Sequence, residues 1–362
     1  MKLIVFPIIA FLIAFLFLPV VIKLLGQWKL FDSPGEHKIH STYTPSMGGI
    51  AVLLGAALAL IMGLPLQQWL AMKFFFIALL IMFLIGLRDD VLALSPRQKL
   101  FSQFLPIIIL VVLDQTNLTS FYGFLFETPL PTTVSWLLTF FVIVIVSNAY
   151  NLIDGVDGLA GTVGVVALGF FGVWFWGVGD ATLSLIALCF VGSLLAFLFF
   201  NWQPSKIFMG DTGALMVGLL LVYFAIKFIN VNFNLPLGHA WRFESSVSTA
   251  VCVLIVPLFD TLRVIIIRLR KFQSPFRADR NHLHHQFLQI GFSHSRVVIA
   301  LALINVVFLG LAWLMKDQGD WLILSVVLAL CLAINFGLKA FQQRVTLVQH
   351  ERANTTAGTR SA

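Results

Sequence analysis

Stretches of about twenty apolar residues recur along this chain, each long enough to cross a lipid hydrocarbon layer. With no water there to satisfy its amides, a crossing segment must close its own hydrogen bonds, as a helix does. Eleven segments qualify, near 3–22, 47–66, 72–88, 101–113, 134–150, 159–178, 181–200, 212–230, 247–267, 297–315 and 321–338. Only 11% of the 362 residues are charged and 59% are hydrophobic, whereas a soluble domain carries about 25% charged residues. The expected fold is an all-α polytopic membrane protein. Residues 1–345 form one integral-membrane domain, and 346–362 form a polar, disordered tail. The first span follows a single lysine and has no small-residue cleavage site, so it reads as a retained helix. Cys189, Cys252 and Cys331 lie far apart in apolar runs, with no metal-ligand spacing and no expected disulfide.

Lysine and arginine placement sets the orientation, because positive loops stay inside. With the N-terminus outside, all but five of the 23 basic residues fall at inner loops or inner helix ends, the exceptions being Lys2, Lys73, Lys227, Arg242 and Lys316. The C-terminus is then cytoplasmic. This orientation also gathers the polar clusters on the inner face. "GLRDDVLAL" ends the third span, "NAYNLIDGVDGLAG" joins the fifth and sixth, "KIFMGDTGAL" joins the seventh and eighth, and "SPFRADRNHLHHQF" joins the ninth and tenth. The outer loops offer nothing comparable.

Carboxylates at the edge of hydrocarbon are costly, and most serve a function. Asp89 and Asp90 sit at a helix C-terminus, where acids oppose the helix dipole and call for a cation. Asp154 and Asp157 are three residues apart and share a face if the segment is helical. Asn151 lies one turn earlier and adds a neutral oxygen, and Asn148, a further turn back, is a candidate substrate contact. The plainer reading makes Asp154 the N-cap of the sixth span and Asp211, between glycines, the N-cap of the eighth. The sharper reading gives Asp211 a magnesium ion and leaves Phe208 to stack on a planar ring. Magnesium takes one or two carboxylates, the remainder of its shell being phosphate oxygens and water. "HLHH" (His282, His284, His285) lacks the partners of a zinc site. With Arg280 it better suits an anionic substrate. Lys99, Lys38 and His40 are further basic candidates. Acids and bases on one face suggest a metal-chelated polyphosphate, since bare aspartates repel phosphates by several kcal/mol at close range.

Those four motifs, in this order and spacing, resemble the polyprenyl-phosphate N-acetylhexosamine-1-phosphate transferases, a glycosyltransferase family 4-like group. The resemblance runs from "HKIHSTYTPSMGG" to "HLHH". Its "FRADRNHLHH" loop is similar to the WecA/TagO branch rather than the MraY branch. The resemblance implies a bacterial inner-membrane enzyme that moves N-acetylhexosamine 1-phosphate from a UDP-sugar to undecaprenyl phosphate and releases UMP. This would begin a cell-envelope polysaccharide. It implies Asp211 as the principal ligand of Mg2+ (Mn2+ as a substitute), with Asn151 beside it. Asp89 and Asp90 would handle the lipid phosphate or support the metal, and Lys99 would hold the diphosphate. Phe208 would stack on uracil, Asp154 and Asp157 would line the nucleotide pocket, and the histidine loop with Arg280 would contact diphosphate or sugar. The partners expected are the UDP-N-acetylhexosamine, undecaprenyl phosphate and the bilayer, with a homodimer by family analogy and no nucleic acid. N-acetylglucosamine is the first choice of sugar; N-acetylgalactosamine and a 6-deoxy-N-acetylhexosamine stay open.

Two other classes compete. "DGVDGLAG" partly matches the CDP-alcohol phosphatidyltransferases, but Gly161 and Thr162 replace that signature's Ala-Arg. A transporter of an anionic solute would need ionisable groups near the bilayer midplane, where only Asp260 and Lys227 come close.

Overall fold

The computed structural model describes residues 1–28, 44–125, 128–273 and 282–358, with side chains throughout except at 284 and 345–358. Among these residues there is no β-strand, and 77% of the chain is helix. In chain order the helices are α1 (Lys2–Gln27), α2 (Gly49–Gly63), α3 (Leu66–Ala71), α4 (Lys73–Val91), α5 (Pro96–Ser102), α6 (Phe104–Ile108), α7 (Thr132–Leu152), α8 (Leu159–Gly177), α9 (Ala181–Asn201), α10 (Gly210–Asn234), α11 (Ser246–Val253), α12 (Ile255–Arg270), α13 (Leu283–Gln289), α14 (His294–Leu314) and α15 (Asp320–Gly358). A π-helical turn, Ile109–Leu113, extends α6.

Among the described residues eight helical runs are long and apolar enough to cross a membrane, with α5, α6 and the π-turn together counting as one (Pro96–Leu113), or nine when α11 and α12 count as one broken span bent by 85°. The eleven expected segments all lie on helices, but two fall short as spans. α2 has only 15 residues, and α4 carries Lys73 at one end and Arg88, Asp89 and Asp90 at the other. The chain is a polytopic membrane protein. Its last helix runs on to Gly358, past the start of the expected tail; extending a formed helix costs far less than nucleating one.

α10 is the axis of the bundle, with 83% of its apolar stretch buried, against 22% for α1 and 17% for α15. It packs against α4, α7, α2 and α8, while α1, α2 and α9 form a second layer. Large aromatic side chains fill the centre, among them Phe171, Phe175, Phe224 and Phe228. Between membrane helices such contacts act through close packing rather than removal from water, and α10 has the largest buried share of the eight unbroken spans. Functional groups at its ends therefore sit on a rigid support.

Candidate active site

The first turn of α10 lies at the centre of the site. Met209 is its N-cap and offers no side-chain bond, so the leading amides need acceptors from elsewhere. Asp90, at the end of α4, supplies two of them. Its Oδ1 accepts from the Asp211 amide at 2.9 Å and its Oδ2 from the Thr212 amide at 2.9 Å. The Thr212 hydroxyl also donates to Oδ2, and Ser46 Oγ donates to Oδ1 at 3.3 Å. Asp154 takes the Gly210 amide. Anions at a helix N-terminus are favoured by the aligned peptide dipoles. The expected local cap by Asp211 is therefore corrected: two carboxylates from other segments hold this turn, and the Asp211 side chain is left for other partners.

That side chain meets Lys99. The Lys99 ammonium lies 2.9 Å from Asp89 Oδ2 and also pairs with Asp211 Oδ1. Asp89 Oδ1 accepts the Leu94 amide at 2.7 Å, which fixes the turn between α4 and α5. α5 begins with a capping box, Ser95 with Gln98, and Pro96 in its first position, a start signal readable in the sequence. Behind Lys99, fully buried Gln103 donates to and accepts from the Asn148 amide at 3.4 and 2.9 Å. Asn148 also donates to the Val144 carbonyl at 2.8 Å. It joins the junction of α5 and α6 to α7.

The loop after α7 also differs from expectation. Residues 153–158 form turns rather than helix, so Asp154 and Asp157 do not share a helical face. The N-cap of α8 is Gly158 at φ +83°, without a side-chain cap, so Asp154 is not that cap. A left-handed φ is open to glycine at little cost. Asp154 instead faces α10, while buried Asp157 faces buried His294 at 3.8 Å. Asn201 ties this loop to the approach to α10: it accepts from the Gly158 amide at 2.8 Å and donates to the Ile207 carbonyl at 2.8 Å. Asn151 lies half-buried at the end of α7, and its side chain has no hydrogen-bond partner among the described residues.

Burial is the main reason that the Asp154 carboxyl stands well above the ordinary carboxylate range, and the charges of Asp211 and Asp90 add to it. The Gly210 amide pulls the other way. Carboxylates here outnumber the ammonium that bridges them, a surplus that a cation would relieve. Among the described residues no three His, Cys, Asp or Glu side chains converge as a metal cluster. A magnesium ion that shares its shell with phosphate needs no such cluster. Asp211 and Asn151 each offer an oxygen of the kind that ion takes.

Phe208 is half-buried, and its backbone is fastened to the residues ahead of α2. Its amide donates to Pro45 O at 2.9 Å, and its carbonyl accepts from the Gly48 amide at 2.8 Å. His282 is buried beside Asp260, with Nδ1 to Oδ2 at 3.0 Å, and Asp260 also accepts from the Leu283 amide at 2.6 Å. Asp260 thus pairs with the histidine segment and caps α13. His285 is half-buried on α13. Lys38, His40, Arg280 and the side chain of His284 lie outside the described residues. Lys227 pairs with Asp114 at 3.5 Å. Sequence reasoning missed Ser46, Gln103, Asn201, Thr212 and His294. The first and fourth stood inside quoted motifs, and the others are polar residues in or beside apolar runs, which is itself a signal.

This chain is similar to known proteins. Residues 72–229 match the family described as glycosyl transferase family 4. A decaprenyl-phosphate N-acetylglucosaminephosphotransferase of Mycobacterium leprae is 31% identical, over 77% of this chain and 75% of the relative. A Bacillus subtilis protein named "Probable undecaprenyl-phosphate N-acetylglucosaminyl 1-phosphate transferase" is 29% identical, over 89% of this chain and 87% of the relative. An undecaprenyl-phosphate alpha-N-acetylglucosaminyl 1-phosphate transferase of Yersinia pestis is 26% identical, over 91% and 89%.

Proposed function

This chain belongs to glycosyl transferase family 4, and we propose that it transfers N-acetylglucosamine 1-phosphate from UDP-N-acetylglucosamine to undecaprenyl phosphate. The names of its relatives support the reaction. The observation that carries it is Lys99 held between Asp89 and Asp211 on the capped turn of α10. An ammonium fixed this way meets a diphosphate without first having to be ordered, and phosphoryl transfer depends mainly on alignment and charge neutralisation.

A phosphate oxygen of the lipid attacks the sugar-side phosphorus in line. The new P–O bond forms as the bond to UMP breaks, and UMP leaves with that bridging oxygen. The lipid phosphate needs no base, because its second pKa is about 6 and it is mostly dianionic at pH 7. Asp211 and Asn151 would hold magnesium, which supplies neutralisation of the diphosphate charge. Asp89 orients Lys99, Phe208 faces the uracil, and the lipid tail lies along apolar helix faces.

We place the N-terminus outside and the site on the cytoplasmic face of the bacterial inner membrane, because the basic residues concentrate at that end. A homodimer is the expected assembly.

The experiment uses purified protein in detergent with magnesium, a panel of UDP-sugars, and undecaprenyl or decaprenyl phosphate as acceptor. UMP release with UDP-N-acetylglucosamine, lost in Asp211→Asn, is the expected result. A folded protein that releases UMP from no UDP-sugar overturns the reading.

A further inference from the structure

We infer that Asp90 is a positioning residue rather than a ligand of metal or substrate, and that it acts by capping α10 across the bundle. The inference rests on the transferase reading for its kinetic consequence, but its structural part stands without it.

Asp89 and Asp90 are adjacent in sequence and look equivalent, yet they face different partners. Asp89 gives one oxygen to the Lys99 ammonium and the other to the Leu94 amide. Asp90 gives both oxygens to the same short segment of α10 and to Ser46, through four donors: two amides and two hydroxyls. A carboxylate oxygen offers about two lone-pair directions, and here each oxygen of Asp90 already accepts two bonds. It therefore has no free valence to offer a cation. Thr212 is fully buried, so its hydroxyl serves Asp90 and does not reach a ligand.

The consequence falls on Asp211. Its amide is one of the two that Asp90 holds, and its side chain pairs with Lys99. The cap thus fixes the backbone from which the proposed metal ligand projects. Ser46 brings in the segment ahead of α2, whose Gly48 and Gly49 amides donate to Phe208 O and Met209 O at 2.8 and 3.1 Å. One carboxylate therefore gathers α4, α10 and the residues beside Phe208. Absolute placement of this kind matters because small displacements of catalytic groups cost large rate factors.

The two roles predict different rankings of variants. Asparagine keeps one acceptor oxygen for this turn and alanine keeps none, so a cap is lost in steps. A base, by contrast, loses its function equally in either variant, and a metal ligand loses the charge that holds the cation while the protection of the turn is unchanged. Asp90→Asn, Asp90→Ala and Thr212→Val are compared in two assays. The first is hydrogen exchange of the segment 208–214 in the protein without substrate or metal. The second is UMP release as a function of magnesium and of each substrate.

The expected result is graded. Asp90→Asn keeps part of the protection and loses at least about tenfold in kcat, with KM little changed, the size expected for one hydrogen bond to a charged group. Asp90→Ala loses the protection and at least about a hundredfold in kcat, the scale of one displaced catalytic group. Thr212→Val loses part of both, and combining it with Asp90→Asn costs less than the product of the two singles, as for residues in one network. Asp90→Asn as inactive as Asp90→Ala, with 208–214 protected as in the parent in both, would overturn the proposal. Should Asp90→Ala fail to fold, multiplicative effects of Asp90→Asn and Thr212→Val would overturn it. Since exchange needs no turnover, failure of the transferase reading would leave the cap still measurable.

Discussion

Lys99 and Asp211, 112 positions apart, form an ion pair that Asp89 completes at 2.9 Å from the same ammonium. Lys99 is thus a built-in counter-ion in a site rich in carboxylates. Removing it in Lys99→Met should lower kcat/KM for UMP release by about 100- to 1,000-fold, as for a deleted transition-state donor. The same change unmasks two carboxylates, so divalent cations should bind the resting protein more tightly. Calorimetric titration with magnesium checks this; weaker binding in Lys99→Met would contradict the counter-ion role.

Asp154 carries an energetic cost that follows pH. Its folded-state carboxyl stands above its unfolded value, so the folded protein binds more protons between the two, and stability falls as pH rises through that window. Asp154→Asn removes the charge and keeps an acceptor for the Gly210 amide. The variant should melt higher than the parent at neutral pH, with the difference vanishing below the ordinary carboxylate range. Thermal unfolding in detergent at pH 4 and pH 7.5 measures it, and UMP release should fall as the melting temperature rises.

Gly86 lets α4 approach the first turn of α10, for a side chain there would strike the Asp211 carbonyl. Gly86→Ala should destabilise by about 1–3 kcal/mol, typical of overpacking, and lower activity with it. Gly169 on α8 faces open space. Gly169→Ala should match the parent or gain up to about 1 kcal/mol from helix propensity. Paired melting curves separate the two.

Asn201, 3% exposed, holds the Gly158 amide and the Ile207 carbonyl. Asn201→Leu conserves volume but strands both groups, at about 1–3 kcal/mol for each buried unsatisfied partner. The melting temperature should drop, and KM for the UDP-sugar should rise as the loops beside Asp154 and Phe208 loosen. An unchanged KM would confine Asn201 to stability.

Chelation offers a simpler check of the metal. Excess EDTA should stop UMP release, and magnesium or manganese should restore it, with melting temperature rising on metal addition as expected for a ligand of the folded state. Activity that persists in EDTA would remove magnesium from the proposal.

Much of the fold is legible in the sequence because hydrocarbon leaves the backbone so little choice. All eleven apolar runs became helix, and the exceptions as spans, α2 and α4, have visible causes in length and charge. The start of α5 was equally readable, since Ser95, Pro96 and Gln98 act on their own turn. The sequence motifs also named the residues that meet: Asp89, Asp90, Lys99, Asp154 and Asp211. Their separate duties could not be read there. Asp89 and Asp90 differ by one position, and Asp154 and Asp157 by three, but each pair divides between unrelated partners. Composition and apolar spacing determine that this chain is a helical membrane protein and which helix ends are polar, because those are local properties of each segment. Which carboxylate caps a helix, holds an ammonium or stays open to a ligand depends on donors from other segments, some of them more than a hundred residues away, and only the packing of α4, α5, α7 and α10 brings those donors within bonding distance.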